Sequence, residues 1–168
     1  MSGVGLEHHV LSALMAQKER LTFHLTNRET LQGRLKAQGR YEILVDNGQE
    51  ELVLPKHEIL SIRTDPAAPL ELPPEVPHKP EDVRPTDIQA HLLNRAMARR
   101  TPVILHLITK QHLTGTVTGY DNYTILLSLR GGCAVLVYKH GITTVHMRTR
   151  PSIPKGKPHG PVSPEQPA

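Results

Sequence analysis

Nothing constrains the fold of this 168-residue chain more than its near-repetition. Shifted by 82 residues, "LTFHLTNRETLQGRL" (21–35) lies over "VILHLITKQHLTGTV" (103–117), so that His24 meets His106, Leu25 meets Leu107 and Gly33 meets Gly115. "YEILV" (41–45) then meets "YTILL" (123–127). One further residue of offset brings Lys56-His57 in "LPKHEILSI" onto Lys139-His140 in "VYKHGITTV". A repeat of this length means one unit built twice, so the chain is a tandem duplication with diverged copies.

Between the copies lies "TDPAAPLELPPEVPHKPEDVRPT" (64–86), with seven prolines in 23 residues. Proline fixes φ and donates no backbone hydrogen bond, which excludes a helix or a central strand. As a polyproline-like spacer, at about 3.1 Å per residue, this stretch could reach roughly 70 Å. The tail, 149–168, has a similar composition and is expected to be disordered. The expected domains are therefore 1–63 and 87–148, with 64–86 as linker and 149–168 as tail.

Each copy has the same order of elements. Leu6, Val10 and Leu14 recur at helical spacing in the first. In the second, "TDIQAHLLNRAM" opens with a predicted capping box, Thr86 as N-cap and Gln89 three positions on. Five short strands follow in each copy; Leu21, Phe23 and Leu25 alternate with polar residues, and Val103, Leu105 and Leu107 do so in part. Gly33 and Gly115 interrupt their strands and predict a strong bend or bulge. Aromatics make up only 3% of the chain, so the core must come from Leu, Ile and Val. A helix plus five bent strands in about sixty residues suits a small, partly open barrel. The fold class is thus mainly β, with a hinge carrying Lys-His between the last two strands of each copy.

Charge is uneven. Residues 1–63 are neutral, 64–86 carry −3, 87–148 carry +5 and 149–168 carry +2. A basic second copy points to a polyanionic partner. The single cysteine, Cys133, excludes an internal disulfide and reads as a hairpin residue. Asp121 falls at a turn position. The first residues lack a signal-peptide pattern, and no apolar run approaches a bilayer span, so a cytoplasmic protein without membrane contact is expected. No Ser/His/Asp or Cys/His/Asn set and no phosphate-loop motif is present, and His8-His9 and the other histidines show no ligand spacing. No enzymatic activity, cofactor or metal is expected.

Each copy resembles the Hfq family of bacterial Sm-like RNA chaperones. "LTNRETLQG" is similar to the first Sm motif and "VYKHGITTV" to the second, and the resemblance covers roughly 6–63 and 87–148. It implies two Sm-like domains per chain and assembly into a ring of six Sm folds, the fourth strand of each pairing with the fifth of the next. Two folds per chain would then make a homotrimer with six-fold pseudosymmetry. It also implies single-stranded, U-rich RNA as ligand on the proximal pore face, with small regulatory RNAs and mRNAs as partners.

In that frame Lys56, His57, Lys139 and His140 line the proximal pore, and Tyr41 and Tyr123 stack on uracil. Gln89 and Asn122 stand ready for a uracil edge in the second copy; Glu7 and Arg40 take the matching places in the first. The expectation is three better uridine pockets alternating with three poorer ones. Two blander alternatives stay open: the Lys-His step as a solvated hairpin turn, and the tyrosines as strand residues packed on a neighbour. On the distal face the family's A-rich RNA positions fall on His24, Glu29 and Gln32, and on His106, Gln111 and Thr114. Altered or lost A-rich binding is expected there. The family's arginine rim is reduced to Arg95, Arg99 and Arg100 in the second copy, against Lys18 and Arg20 in the first. The competing class is a ring-forming structural or protein-interaction module that keeps Sm assembly without productive RNA binding.

Overall fold

Apolar residues at spacing four give each copy a helix with one buried stripe, and alternating residues give each strand one buried face. The structure, a computed structural model describing residues 5–148, has this order twice. The first unit is α1 (Leu6–Gln17), β1 (Leu21–Leu25), β2 (Thr30–Gln38), β3 (Glu42–Asp46), β4 (Glu51–Pro55) and β5 (Ile59–Thr64). The second is α2 (Ile88–Arg99), β6 (Val103–Leu107), β7 (His112–Tyr120), β8 (Thr124–Ser128), β9 (Ala134–Tyr138) and β10 (Ile142–Met147). A single 3₁₀ turn, Lys56–Glu58 or Lys139–Gly141, separates the last two strands of each unit. The tail expected from 149 onward lies outside the described residues.

All neighbouring strands are antiparallel, in the order β10-β6-β7-β8-β9-β5-β1-β2-β3-β4. One ten-stranded sheet therefore runs through both units. They join where the fifth strand of the first meets the fourth of the second, with Ser61 opposite Val137, Ile62 opposite Leu136 and Arg63 opposite Val135. This β5–β9 seam also mixes the two cores. Leu126, Leu136 and Tyr138 pack into the core of the first unit, built around Leu6, Val10, Leu14, Phe23 and Val45. Leu60 returns the exchange and packs with Leu93, Leu105, Ile125 and Val137 in the second. The sheet ends at β4 and β10, the strands that the seam pattern would pair next.

Gly33 and Gly115 do not sit at the bulges themselves. The register shifts two to four residues later, between Leu35 and Ala37 and between Val117 and Gly119. Each glycine instead admits a close crossing: a Cβ on Gly33 would lie 2.6 Å from the Asp46 carbonyl, and on Gly115 2.8 Å from that of Ser128.

Two expectations need correction. The capping box does not form. Asp87, not Thr86, is the N-cap of α2 and makes no side-chain cap bond; its carboxylate instead accepts from the Arg84 amide at 3.1 Å. The linker is not an extended spacer. Between its prolines, Leu70, Leu72 and Val76 pack on the first core. The Gln17 side chain donates to the Pro69 carbonyl and accepts from the Glu71 amide, and the Tyr120 amide donates to the His78 carbonyl at 2.8 Å. Proline withholds donors but leaves its carbonyl and the apolar residues beside it free to dock. The segment is a strap laid back over both units. Among the described residues, no helix is long and apolar enough to cross a membrane.

Candidate nucleic-acid interface

The Lys-His turns and the tyrosines are built together. The Lys56 amide donates to the Tyr41 carbonyl and the Lys139 amide to the Tyr123 carbonyl, both at 2.8 Å. Each tyrosine ring is left in the open, Tyr41 at 67% and Tyr123 at 70% exposure. A large aromatic ring held outward offers a flat platform on which another planar ring can stack.

The two platforms are held differently. In the second unit one oxygen of the buried Asp121 carboxylate accepts from the amides of Tyr123 and Thr124 and from the Thr124 hydroxyl, at 2.7–2.9 Å. This fixes the turn that presents Asn122 and Tyr123, both exposed. The other oxygen accepts from the Glu7 amide at 2.7 Å, so a residue of the second unit caps helix α1 of the first. The first unit has Gly39 in this place, and the Arg40 guanidinium lies 5.4 Å from the Tyr41 ring.

Asp121 thereby draws Glu7 across the seam. The Glu7 carboxylate accepts from the Tyr138 hydroxyl at 2.6 Å and pairs with the Lys56 ammonium at 3.0 Å. Burial, and then the adjacent Glu7 charge, hold the Tyr138 hydroxyl protonated far above the ordinary tyrosine range. Glu7 matches Gln89 in the repeat, and it touches both units: Asp121 and Tyr138 of the second and Lys56 of its own. Gln89 is exposed on the first turn of α2, with no side-chain hydrogen bond among the described residues.

The histidines divide likewise. His140 stacks on Tyr138, with ring centroids 5.6 Å apart, and its Nε2 lies 2.9 Å from the Ile59 carbonyl across the seam. His57 is exposed, 3.4 Å from the Glu58 carboxylate. The Lys139 ammonium sits 5.5 Å from the Tyr120 ring centroid, and burial lowers its pKa against the opposing pull of Asp121 and Asp87.

The distal residues are more scattered. His106 lies between His112 and His146, with centroid separations of 5.7 and 4.6 Å. Gln32 and Thr114 are exposed strand residues, and Glu29 sits exposed in a turn. His24 and Gln111 share a cleft with Arg63 and Lys110, two cations absent from the expected set. Arg95, Arg99 and Arg100 are exposed at the end of α2, where Arg100 is the left-handed C-cap, as Lys18 is for α1. Sequence reasoning missed Asp121 as a cap between units. The available signal was the exchange of Asp121 for Gly39 between the copies.

A helix leading five bent antiparallel strands, with a 3₁₀ turn between the last two, defines an Sm-like unit, here present twice. The family model described as "Hfq protein" matches residues 88–152. The RNA-binding protein Hfq of Clostridium botulinum (strain Eklund 17B / Type B) is 41% identical over 59 residues, 35% of this chain and 75% of the relative. That of Mesorhizobium japonicum is 40% identical over 62 residues, 37% of this chain and 75% of the relative. A 1.55 Å crystal structure of the pleiotropic translational regulator Hfq matches 40% of this chain and all of its own, at 27% identity and a TM-score of 0.37. The chain belongs to the Hfq family.

Proposed function

We propose that the chain is a cytoplasmic RNA-binding protein that takes single-stranded, U-rich RNA on its tyrosine and Lys-His platforms. As a ring of three chains, it would promote pairing of small RNAs with mRNAs. The observation that carries this reading is the outward Tyr123 ring, held by Asp121 beside Lys139 in the basic half of a chain whose relatives are named RNA-binding proteins. Stacking of a base on such a ring contributes about 1–3 kcal/mol. Lys139 and its counterparts supply field for phosphates, so affinity falls with salt.

The seam supports the ring. β5 and β9 pair within the chain, and the exposed edges β4 and β10 are a fourth and a fifth strand of the same kind. Repeating the contact between chains covers both edges, which otherwise invite uncontrolled pairing. Such a head-to-tail interface closes when its rotation divides the circle.

The experiment is anisotropy with labelled U-rich and A-rich oligonucleotides at low salt. Tyr123→Ala should weaken U-rich binding at least tenfold and Tyr41→Ala only two- to threefold. The double change Lys139→Ala/His140→Ala should remove most of it. Absence of any binding by the unaltered chain would sink this function. The reading left standing would be the assembly module without RNA, which the neutralising Glu7–Lys56 pair favours.

A further inference from the structure

The docked strap forms one wall of a cleft of about 520 Å³ beside the Tyr123 platform. Asp121 and Asn122 stand on one side; Lys79, Glu81 and Asp82 of the strap stand on the other. Asn122 precedes Tyr123 in the same turn. A strand stacked on Tyr123 that continues outward past Asn122 therefore meets the strap.

The strap is held there from both units. Leu72 and Val76 pack on the first core, and the Tyr120 amide donates to the His78 carbonyl at 2.8 Å. Gly119 lets the two backbones come this close, because a Cβ on it would lie 2.8 Å from the same carbonyl. At the matching position the first unit has Ala37, and Ala37 is exposed. The two copies thus differ at the residue that admits a strap: one platform has a strap beside it by construction, and the other would push it away.

The charge of this cleft is one-sided. Lys79 is a single cation against the carboxylates of Glu81, Asp82 and Asp121. Glu81 and Asp82 are exposed, and neither has a hydrogen-bond or ion-pair partner among the described residues. Their charge is not spent on holding the fold, so it acts on whatever enters the cleft. A phosphate there meets like charge at short range. The first platform has the opposite neighbour, the Arg40 guanidinium, 5.4 Å from the Tyr41 ring.

We infer that the strap is a fence for bound RNA. Glu81 and Asp82 oppose a phosphate that leaves the Tyr123 platform past Asn122, and so turn the strand toward the Lys-His turns. They set the path of the backbone and lower the overall affinity in doing so. This inference rests on the U-rich platform proposed above.

The test compares two charge-matched variants of the full chain by anisotropy with labelled hexauridylate. Glu81→Gln/Asp82→Asn and Glu71→Gln/Glu75→Gln each remove two negative charges from the strap, but only the first pair lines the cleft. At low salt Glu81→Gln/Asp82→Asn should tighten binding about threefold or more, and Glu71→Gln/Glu75→Gln should leave it nearly unchanged. High salt should erase the difference, because screening shortens the reach of exposed charges. In a Tyr123→Ala background, neutralising Glu81 and Asp82 should no longer tighten binding. Equal gains from the two variants, or a gain that survives Tyr123→Ala, would overturn the fence. Binding by the unaltered chain that Glu81→Gln/Asp82→Asn leaves unchanged sinks the fence alone. No binding by either sinks the U-rich platform and the fence with it.

Discussion

Glu7 shows how one side chain can serve a unit to which it does not belong. Its amide is held by Asp121 and its carboxylate by Tyr138 and Lys56, across the seam in two of the three contacts. Glu7→Gln keeps an acceptor for Tyr138 but loses the charge facing Lys56. The expected outcome is a loss of about 1–2 kcal/mol in urea denaturation, a charged hydrogen bond being replaced by a neutral one. U-rich affinity should rise at the same time, because Lys56 is released. A fall in both would mean that the pair shapes the platform rather than masking it. Burial and Arg63 hold the pKa of His24 below its ordinary value of 6.5. Below that value the unfolded chain takes up the proton more readily. The stability His24 contributes is therefore present above pH 6.5 and lost as pH falls through its lower folded-state value. Histidine resonances followed by NMR should show His24 titrating below 6.5. His24→Asn should remove part of the acid-side loss in stability.

At the scale of elements, the two copies make much legible in the sequence. Aligning them exposed the strands, the two Lys-His turns, the paired tyrosines and the conserved-in-place glycines, because both copies must meet the same backbone demands. Gly115→Ala should cost about 1–3 kcal/mol in chemical denaturation, since the new methyl meets a carbonyl that cannot swing away. An unchanged midpoint would show that the β7–β8 crossing can open. What stayed illegible concerns partners rather than elements. Thr86 and Gln89 have capping-box spacing, but Asp87 between them takes the N-cap and closes a turn to Arg84. Proline content reports missing donors and says nothing of Leu70, Leu72 and Val76, which hold the strap down. Comparing the copies pairs Glu7 with Arg40; folding pairs it with Asp121, because the N-terminus of α1 lies against the second unit. No local pattern specifies that choice.

For the molecule as a whole, the seam is the organising contact. It buries Leu60 in one core and Leu136 in the other, so the two units are expected to unfold in one transition despite their separate cores. Calorimetry should show a single peak, and two resolved peaks would mean that the seam is weaker than its burial implies. Native mass spectrometry should find three copies of the 18.7 kDa chain together, and a stable monomer at micromolar concentration would remove the ring.

Joining units in pairs also changes how such a ring responds to dilution. Every second seam would be intramolecular, its partner held at the fixed effective concentration that the docked strap imposes. Dilution then acts only on the contacts between chains. Assembly depends on the third power of chain concentration rather than the sixth, so the ring should persist at expression levels where six separate units would fall apart. In such a ring the β5–β9 strand pair would be a device for scarcity, letting few copies of a chain behave as a complete set.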